Sequence, residues 1–335
     1  MSSRISNGIL LASAMLFAAH GQAGEYTTLD CPGAIATFAT SINTTGQVTG
    51  ACIVDGIYVG FIWFRGVFQT FSAPSATSLT YGADINASGE VVGYYYTGSA
   101  AHSYILINRV VNEFDPPGAT QSVAVGINFF GTIAGYYIDS NNVYHGYIRD
   151  SGDNITVIDV PGLTHLQVTG INYSGEIVGS GVNGSITVGF VRDSAGNITT
   201  FEVPQSTSTL PQAINTDGQI TGWASSSSVA HGFTRDASGT ITTFKAPGAD
   251  FGTFARSIND SGEVTGNGTT SANTNAAFTQ SGSSVPVEFQ DPSASTARLY
   301  GTTAFKINSL GKIVGFYYDS SGDLHGFFRD ALPPR

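Results

Sequence analysis

Residues 127–160 read INFFGTIAGYYIDSNNVYHGYIRDSGDNITVIDV, and the pattern of this stretch recurs along the whole chain. Its Asn-x-x-Gly segment predicts a tight turn, because asparagine starts such turns and glycine supplies positive φ. The residues that follow predict three strands separated by turns, and a short strand before each Ile-Asn makes four per unit. No segment after the N-terminal region carries a sustained helical period with caps, so we expect almost no helix.

The Ile-Asn dipeptide is followed by a glycine at a fixed distance in seven copies. The steps between successive asparagines are 43, 42, 44, 43, 44 and 49 residues. Four-stranded units at this period predict a β-propeller of seven blades, in which each unit buries its apolar face against its neighbours. The seven asparagines are Asn43, Asn86, Asn128, Asn172, Asn215, Asn259 and Asn308.

The two ends of the chain predict how the ring closes. The last unit stops soon after Asp330 and lacks a fourth strand, whereas residues 26–33 (YTTLDCPG) match the fourth strand of residues 241–248 (ITTFKAPG). We expect the N-terminal strand to pair with the last repeat, which would protect the exposed strand edges. An open solenoid is the alternative. The predicted fold is therefore all-β, with residues 24–335 forming a single seven-bladed β-propeller domain of seven repeats.

The first 23 residues are typical of a signal peptide. Arg4 is the only charged residue among the first 24, residues 8–19 form an apolar run, and small residues precede a cleavage site after Ala23. The run is too short to span a membrane, and no later apolar stretch is longer, so we predict no membrane span. We expect a secreted protein, either extracellular or periplasmic; a frayed N-terminal helix is the alternative.

Charge and cysteine content limit the partners of the exported chain. Removal of the signal segment leaves 24 acidic and 12 basic residues, a net charge of −12, which argues against nucleic acid or an anionic membrane as a partner. Cys31 and Cys52 permit a disulfide in an exported protein, with two separate thiols as the alternative. Two sulfurs alone make no metal site, and we predict no metal and no cofactor.

The recurring Ile-Asn-x-x-Gly pattern followed by His-Gly-Phe-x-Arg-Asp resembles the HAF family of extracellular repeats, named for a His-Ala-Phe tripeptide. The tripeptide position holds His-Gly-Tyr at His145 and His-Gly-Phe at His231 and His325, and His102-Ser-Tyr is a weaker copy. Glycine replaces the alanine of the family, and three units lack the histidine. The resemblance covers almost the whole mature chain. It implies an exported bacterial repeat protein and brings no catalytic residues.

The repeated polar residues predict structural roles. A ring would spread the four histidines over different units, whereas zinc ligands must converge, so we expect each histidine to bond a backbone group or an acid nearby. We expect each aspartate of the Arg-Asp pairs to open a turn and each arginine to pack between blades. No two acids can be chosen that would converge for glycoside cleavage, so we predict no catalytic residues. The pairs are Arg149-Asp150, Arg192-Asp193, Arg235-Asp236 and Arg329-Asp330.

We expect the functional residues at positions where the sequence departs from the repeat consensus. Departures from the consensus concentrate in the loops between the second and third strands, where a rigid scaffold can present variable side chains. Aromatic residues at these strand ends could stack on sugar rings or anchor a protein, or they could pack between blades. The candidate ligand-binding residues are Tyr95, Tyr137, Trp223 and Tyr317.

We therefore predict a non-catalytic binding or scaffold module for a glycan or a surface protein. The alternatives are an extracellular polysaccharide hydrolase or lyase on a propeller scaffold, and a purely structural surface protein. The sequence leaves the oligomeric state open.

Overall fold

A computed structural model describes residues 25–226 and 229–331, which form 28 β-strands and no helix. The predicted all-β class is confirmed. The predicted signal segment, residues 1–23, lies outside the described residues.

The strands follow one another in seven groups, which we call units 1 to 7, after a first strand β1 (Tyr26–Leu29). Unit 1 comprises β2 (Ala36–Ile42), β3 (Val48–Val54), β4 (Ile57–Phe64) and β5 (Val67–Phe71). Unit 2 comprises β6 (Thr80–Ile85), β7 (Val91–Thr97), β8 (Ala100–Ile107) and β9 (Val110–Phe114). Unit 3 comprises β10 (Ala119–Ile127), β11 (Ile133–Asp139), β12 (Tyr144–Arg149) and β13 (Ile155–Ile158). Unit 4 comprises β14 (Thr164–Ile171), β15 (Ile177–Asn183), β16 (Ile186–Arg192) and β17 (Ile198–Phe201).

Unit 5 comprises β18 (Ser208–Ile214), β19 (Ile220–Ser225), β20 (Ala230–Arg235) and β21 (Ile241–Phe244). Unit 6 comprises β22 (Gly252–Ile258), β23 (Glu263–Thr269), β24 (Asn275–Ser281) and β25 (Val287–Phe289). Unit 7 comprises β26 (Gly301–Ile307), β27 (Ile313–Tyr318) and β28 (Leu324–Arg329).

Each strand pairs antiparallel with the next one in its unit. Unit 7 has three strands of its own, and β1 pairs antiparallel with β28, so that Tyr26 lies opposite Arg329. On the other side, Ala36 of β2 bridges Leu324 of β28. Unit 7 is thus in contact with both the N-terminal strand and unit 1.

A glycine near the middle of every second strand allows the first strand to approach closely. A Cβ atom placed at Gly50, for example, would overlap the carbonyl oxygen of Phe38, and the same overlap with the first strand occurs in all seven units. Because only glycine lacks a Cβ, this backbone contact explains why a glycine follows the isoleucine or valine of each second strand by two residues. The seven glycines are Gly50, Gly93, Gly135, Gly179, Gly222, Gly266 and Gly315.

The core lies between neighbouring units and is built around one aromatic ring per unit. This ring follows the His-Gly pattern on the third strand, and in every unit it is 0% exposed. Since burial of such a ring contributes about 1.5–3 kcal/mol, the repeated aromatic explains much of how the units hold together. The seven rings are Phe61, Tyr104, Tyr147, Phe190, Phe233, Phe278 and Phe327.

Cys31, just after β1, lies against Cys52 of β3. The Cα atoms are 6.3 Å apart, within the range that a disulfide spans, and the structure pairs the two sulfurs. A bond here would tie the β1 segment to unit 1. The bond itself stays a prediction, which a mass measurement before and after reduction would check.

Candidate functional site

The Ile-Asn turns of all seven units meet around one cavity. The cavity encloses about 250 Å³ and is lined by the isoleucine and asparagine of every unit. Each asparagine is 3–6% exposed. The repeated dipeptide therefore builds the wall of a central cavity.

Each asparagine stabilises its own turn through its side-chain oxygen. Asn43 Oδ1 accepts hydrogen bonds from the backbone N–H groups of Thr45 and Gln47, at 3.1 and 2.9 Å. Its Nδ2 donates to the side chain of Gln47 at 2.7 Å, and Asn86 donates in the same way to Glu90. The acidic and amide side chains at this repeat position therefore orient the asparagines, a role that the sequence did not reveal.

The Nδ2 groups also connect the units in a cycle. Asn43 Nδ2 donates to the carbonyl of Asn86, at 2.8 Å, and the next unit repeats the contact. The third asparagine, Asn128, reaches the carbonyl of Tyr173 at 3.4 Å. The remaining donations run from Asn172 to Asn215, from Asn215 to Asn259, from Asn259 to Asn308, and from Asn308 back to Asn43.

The position before each Ile-Asn is occupied by a small residue except in two units. Asp84 in unit 2 is 9% exposed and accepts hydrogen bonds from Ser41 Oγ at 2.6 Å and from the Ile127 N–H at 3.1 Å. Lys306 of unit 7 reaches the same carboxylate at 3.3 Å. These contacts join units 1, 2, 3 and 7, so Asp84 is engaged as a structural bridge.

Three aromatic side chains stand exposed at the rim of the cavity, and we call them the rim cluster: Phe129, Phe130 and Tyr173. They are 52, 56 and 48% exposed. The ring centroids of Phe130 and Tyr173 are 4.9 Å apart, and Phe129 lies 5.3 Å from Phe130 and 5.6 Å from Tyr173. Contact between exposed rings of two units creates an apolar platform in water, the kind of feature that marks an interaction site.

The rim cluster also borders a groove between units 2 and 3. The groove has a volume of about 720 Å³, and its walls include Phe129, Phe130, Glu113 and Arg149. The rim cluster thus lies between this groove and the central cavity. Sequence reasoning missed it, although aromatic residues stand only in the Ile-Asn turns of units 3 and 4, which was a usable signal.

Three of the four predicted ligand-binding aromatics are buried in the structure. Tyr95, Tyr137 and Tyr317 are 5, 5 and 3% exposed, and each lies directly across from the repeat histidine of the next strand. Their rings pack on the rings of those histidines, with Tyr137 4.9 Å from His145. Such rings cannot serve as an open stacking platform.

Trp223 belongs to a different position of the repeat. It pairs with Gly232, whereas Ala224 lies opposite His231, so Trp223 is one residue out of register with the three tyrosines. Side chains alternate between strand faces, and Trp223 therefore points to the other face. It packs edge-on against Phe254 of unit 6, with ring centroids 5.3 Å apart.

The structural role predicted for the histidines is confirmed in three units. His145 Nδ1 hydrogen-bonds Asp159 at 2.6 Å, His102 bonds Asp115 at 2.8 Å, and His325 bonds Asp30 at 2.7 Å. The distances to the acids, together with the stacked tyrosines, lock each ring between two neighbours. His231 in unit 5 is exposed.

Several of the Arg-Asp pairs make the predicted contacts. Asp150 accepts hydrogen bonds from the Asn154 side chain and from the N–H groups of Asn154 and Gly152, each at 2.9 Å, and these bonds hold the pKa of Asp150 below its usual value. Arg149 lies 4.6 Å above the ring of Phe114 in unit 2, a cation–π contact between units. Arg235 and Arg329 make the same contact with Phe201 and Phe289.

Comparisons with solved structures identify the fold. Virginiamycin B lyase from Staphylococcus aureus is 14% identical, with a TM-score of 0.62 over 91% of this chain and 99% of that chain. The β-propeller domain of the Trilobed protease from Pyrococcus furiosus is 12% identical, with a TM-score of 0.61 over 89% of this chain and 97% of that chain. The fold is a β-propeller.

At these identities the similarity concerns the fold alone. No family model matches the chain, and no curated protein matches it in sequence. Across the described part of the chain, no helix has the length and apolar character needed to cross a membrane. Within residues 25–226 and 229–331, no three His, Cys, Asp or Glu side chains come together as a metal site.

Proposed function

We propose that this protein is an exported, non-catalytic β-propeller of seven blades that binds a glycan or an extracellular protein through the rim cluster. The blades correspond to units 1 to 7, and β1 closes the ring as the fourth strand of unit 7. The resemblance of its repeats to the HAF family supports export, and the apolar N-terminal segment supports it independently. A scaffold and a receptor both need a displayed surface, so this function includes either role.

Three observations support the closed ring of seven. The cavity is lined by residues of all seven units. The chain of asparagine hydrogen bonds returns from Asn308 to Asn43 at 2.9 Å. The β1 strand pairs with β28 along its whole length, which leaves unit 7 with the same number of strands as the others.

The rim cluster is the observation that carries the binding proposal. Exposed aromatic rings in mutual contact offer a flat apolar surface, and aromatic residues dominate the binding energy of many interfaces. The apolar face of a sugar ring can stack on such a surface while its hydroxyls bond the polar turn residues nearby. Exposed polar turn residues beside the rim cluster, such as Ser174, supply such groups.

The surroundings of Asp84 favour binding over catalysis. Glycoside cleavage uses two converging carboxyl groups, one of which must exchange a proton with the substrate. Asp84 is engaged by Ser41, the Ile127 N–H and Lys306, and is 9% exposed. A carboxylate held in this way acts as a bridge between blades.

A glycan array with the mature chain, residues 24–335, tests the proposal. We expect binding to a defined glycan set without product release, and an F129A/F130A/Y173A variant to bind at least about tenfold more weakly, because an aromatic hot spot contributes 2 kcal/mol or more. Phe251 is 51% exposed but lies in the loop before β22, so F251A is the matched control and should bind as the wild type does.

The other outcomes separate the alternatives. Unchanged binding by the triple variant would remove the rim cluster from the site. Released oligosaccharide would replace the binding module with a hydrolase or lyase. An empty array together with empty pull-downs of extracellular proteins would leave a purely structural surface protein.

A further inference from the structure

Arg256 is a cation on the innermost strand of unit 6. It is the extra residue of a β-bulge, because Ala255 pairs with Gly266 and Ser257 with Thr265. Its Nε donates to Asn267 Oδ1 at 3.1 Å, and its guanidinium carbon lies 4.7 Å above the ring of Phe305. The side chain is held firmly, with its terminal nitrogens left for another partner.

The charge of Arg256 has no acidic partner among residues 25–226 and 229–331. No carboxylate there lies within ion-pair distance of it, whereas Lys306, one residue beyond the equivalent position Phe305 in the neighbouring unit, is paired with Asp84 at 3.3 Å. No hydrogen bond from either terminal nitrogen occurs in the same residues. Burial lowers the pKa of Arg256, which reflects the cost of keeping its charge away from water.

The charge at this position of the repeat is unusual among the seven units. Arg256 stands two residues before the isoleucine that lines the central cavity, and the equivalent residue is uncharged in every other unit. Packing of the repeat therefore does not require a cation here. The equivalent residues are Thr40, Ala83, Val125, Thr169, Gln212 and Phe305.

The field of Arg256 reaches unit 2, on the other side of the cavity. Burial raises the pKa of Tyr81 to about 12, and the charge of Arg256 opposes this rise. Tyr81 stacks on Tyr94 with ring centroids 5.3 Å apart. The guanidinium thus has Phe305 on one side and the tyrosine hydroxyl of Tyr81 within electrostatic range.

We propose that Arg256 forms an oxyanion-binding site on the first strand of unit 6 that takes the carboxylate, phosphate or sulfate group of a small ligand. A guanidinium presents paired N–H donors that match such groups. An incoming anion would supply the counter-charge that the fold does not. The site is separate from the rim cluster and does not depend on binding there.

Calorimetric titration at constant ionic strength tests this site. Acetate, glucuronate, inorganic phosphate and sulfate are the probes, and glucose is the uncharged counterpart of glucuronate. We expect at least one oxyanion to bind the wild type and glucose not to bind at this site. R256Q should weaken that binding by about tenfold or more, because a hydrogen bond to a charged group is lost. The probe that binds most tightly shows whether the site prefers a carboxylate or prefers a phosphate or sulfate group.

R235Q is the matched control, since Arg235 also lies over an aromatic ring, 5.0 Å from Phe201, but on the third strand of unit 5. It should bind as the wild type does. R256K, which keeps the charge without the paired donors, should give an intermediate affinity. If R256Q does not fold, the Arg256 Nε–H resonance of the wild type, followed by NMR, should shift on titration with the same anion. Equal binding by R256Q, or no shift and no heat with any oxyanion, would overturn the proposal.

Discussion

The repeat asparagine performs two tasks with one side chain. In the last unit, Asn308 Oδ1 accepts from the N–H groups of Leu310 and Lys312, both at 3.0 Å, and its Nδ2 donates to the carbonyl of Asn43. An aspartate could cap the same turn, but its carboxylate has no donor for the carbonyl of the next unit, whereas the amide of asparagine both accepts and donates. This dual use explains why asparagine stands at the position in every unit.

We therefore expect N308D to destabilise the protein although it keeps the turn. The change replaces the Nδ2 donor with an oxygen that faces the Asn43 carbonyl, and loss of this buried hydrogen bond should cost about 2–3 kcal/mol. Urea unfolding measures the difference. N112A, at an exposed asparagine, is the control and should change stability by less than about 0.5 kcal/mol. Equal stability of N308D and wild type would contradict a structural role for the inter-unit bond.

At this scale the sequence predicted turn chemistry well and side-chain exposure poorly. The Asn-x-x-Gly turn depends on neighbouring residues only, so it could be read directly. The burial of Tyr137 could not, because it depends on His145 of the next strand and on the adjacent unit. Trp223 shows the same limit, since a shift of one residue places a side chain on the opposite face.

The strand β1 is anchored by contacts at its C-terminal end. Leu29 is 0% exposed in a core with Phe61 of unit 1 and Phe328 of unit 7. Just beyond it, Asp30 hydrogen-bonds His325 of β28, and Thr28 Oγ1 lies 3.2 Å from the Tyr317 hydroxyl. The pairing could be anticipated from the match between residues 26–33 and 241–248, which places Tyr26 and Ile241 opposite equivalent arginines.

The attachment of β1 should weaken as the pH rises. Burial lowers the pKa of His325, but the hydrogen bond and charge of Asp30 and the charge of Asp319 outweigh it, so the pKa is raised above 6.5. The protonated form is thus favoured in the folded state, and its stabilisation is complete below pH 6.5 and is lost as the pH passes the folded-state pKa.

Hydrogen exchange of the β1 amides, corrected for the intrinsic pH dependence, measures this effect. We expect less protection at pH 8 than at pH 6 in the wild type. In H325Q the pH difference should disappear, whereas H231Q, at an exposed histidine of unit 5, should retain it. A wild-type protection that is the same at both pH values would show that the His325–Asp30 contact does not hold β1.

For the whole molecule, both ends of the described chain contribute strands to unit 7, and this arrangement predicts where a circular permutant can begin. The N–H of Asp330 donates to the carbonyl of Glu25 at 2.9 Å, so a short linker can join the present ends. A permutant that begins at Gly152, between β12 and β13, leaves β13 to pair back onto β12, as β1 pairs onto β28. A permutant that begins at Gly162 has its ends between units 3 and 4 and must close without a shared strand.

We expect the permutant that begins at Gly152 to have the higher unfolding temperature, because its two ends lie within one unit and are joined by the strand pairing of β12 with β13. Calorimetric scans of both permutants and of the wild type make the comparison. The reverse order would indicate that pairing across unit 7 contributes little to ring closure.

The all-β class and the strand pattern of the repeat could be read from the sequence because the repeat period is regular. The aromatic residues of the rim cluster were visible in the sequence, but their mutual contact was not, because only the arrangement of the units brings Tyr173 beside Phe129 and Phe130. The extra residues of the last step lie between β25 and β26, outside any strand. Interaction between repeats is thus the part of the structure that a repeat alone does not specify.

The hydrogen bond between Asp330 and Glu25 also has a geometric consequence for attachment. Both ends of the described chain leave from the outermost strands of unit 7. In the proposed ring of seven blades, units 3 and 4 are the farthest from unit 7, with unit 3 three steps away in one direction and unit 4 three steps away in the other. In that ring, a tether fused to either end would hold the molecule at unit 7 and leave the two units that carry the rim cluster farthest from the point of attachment.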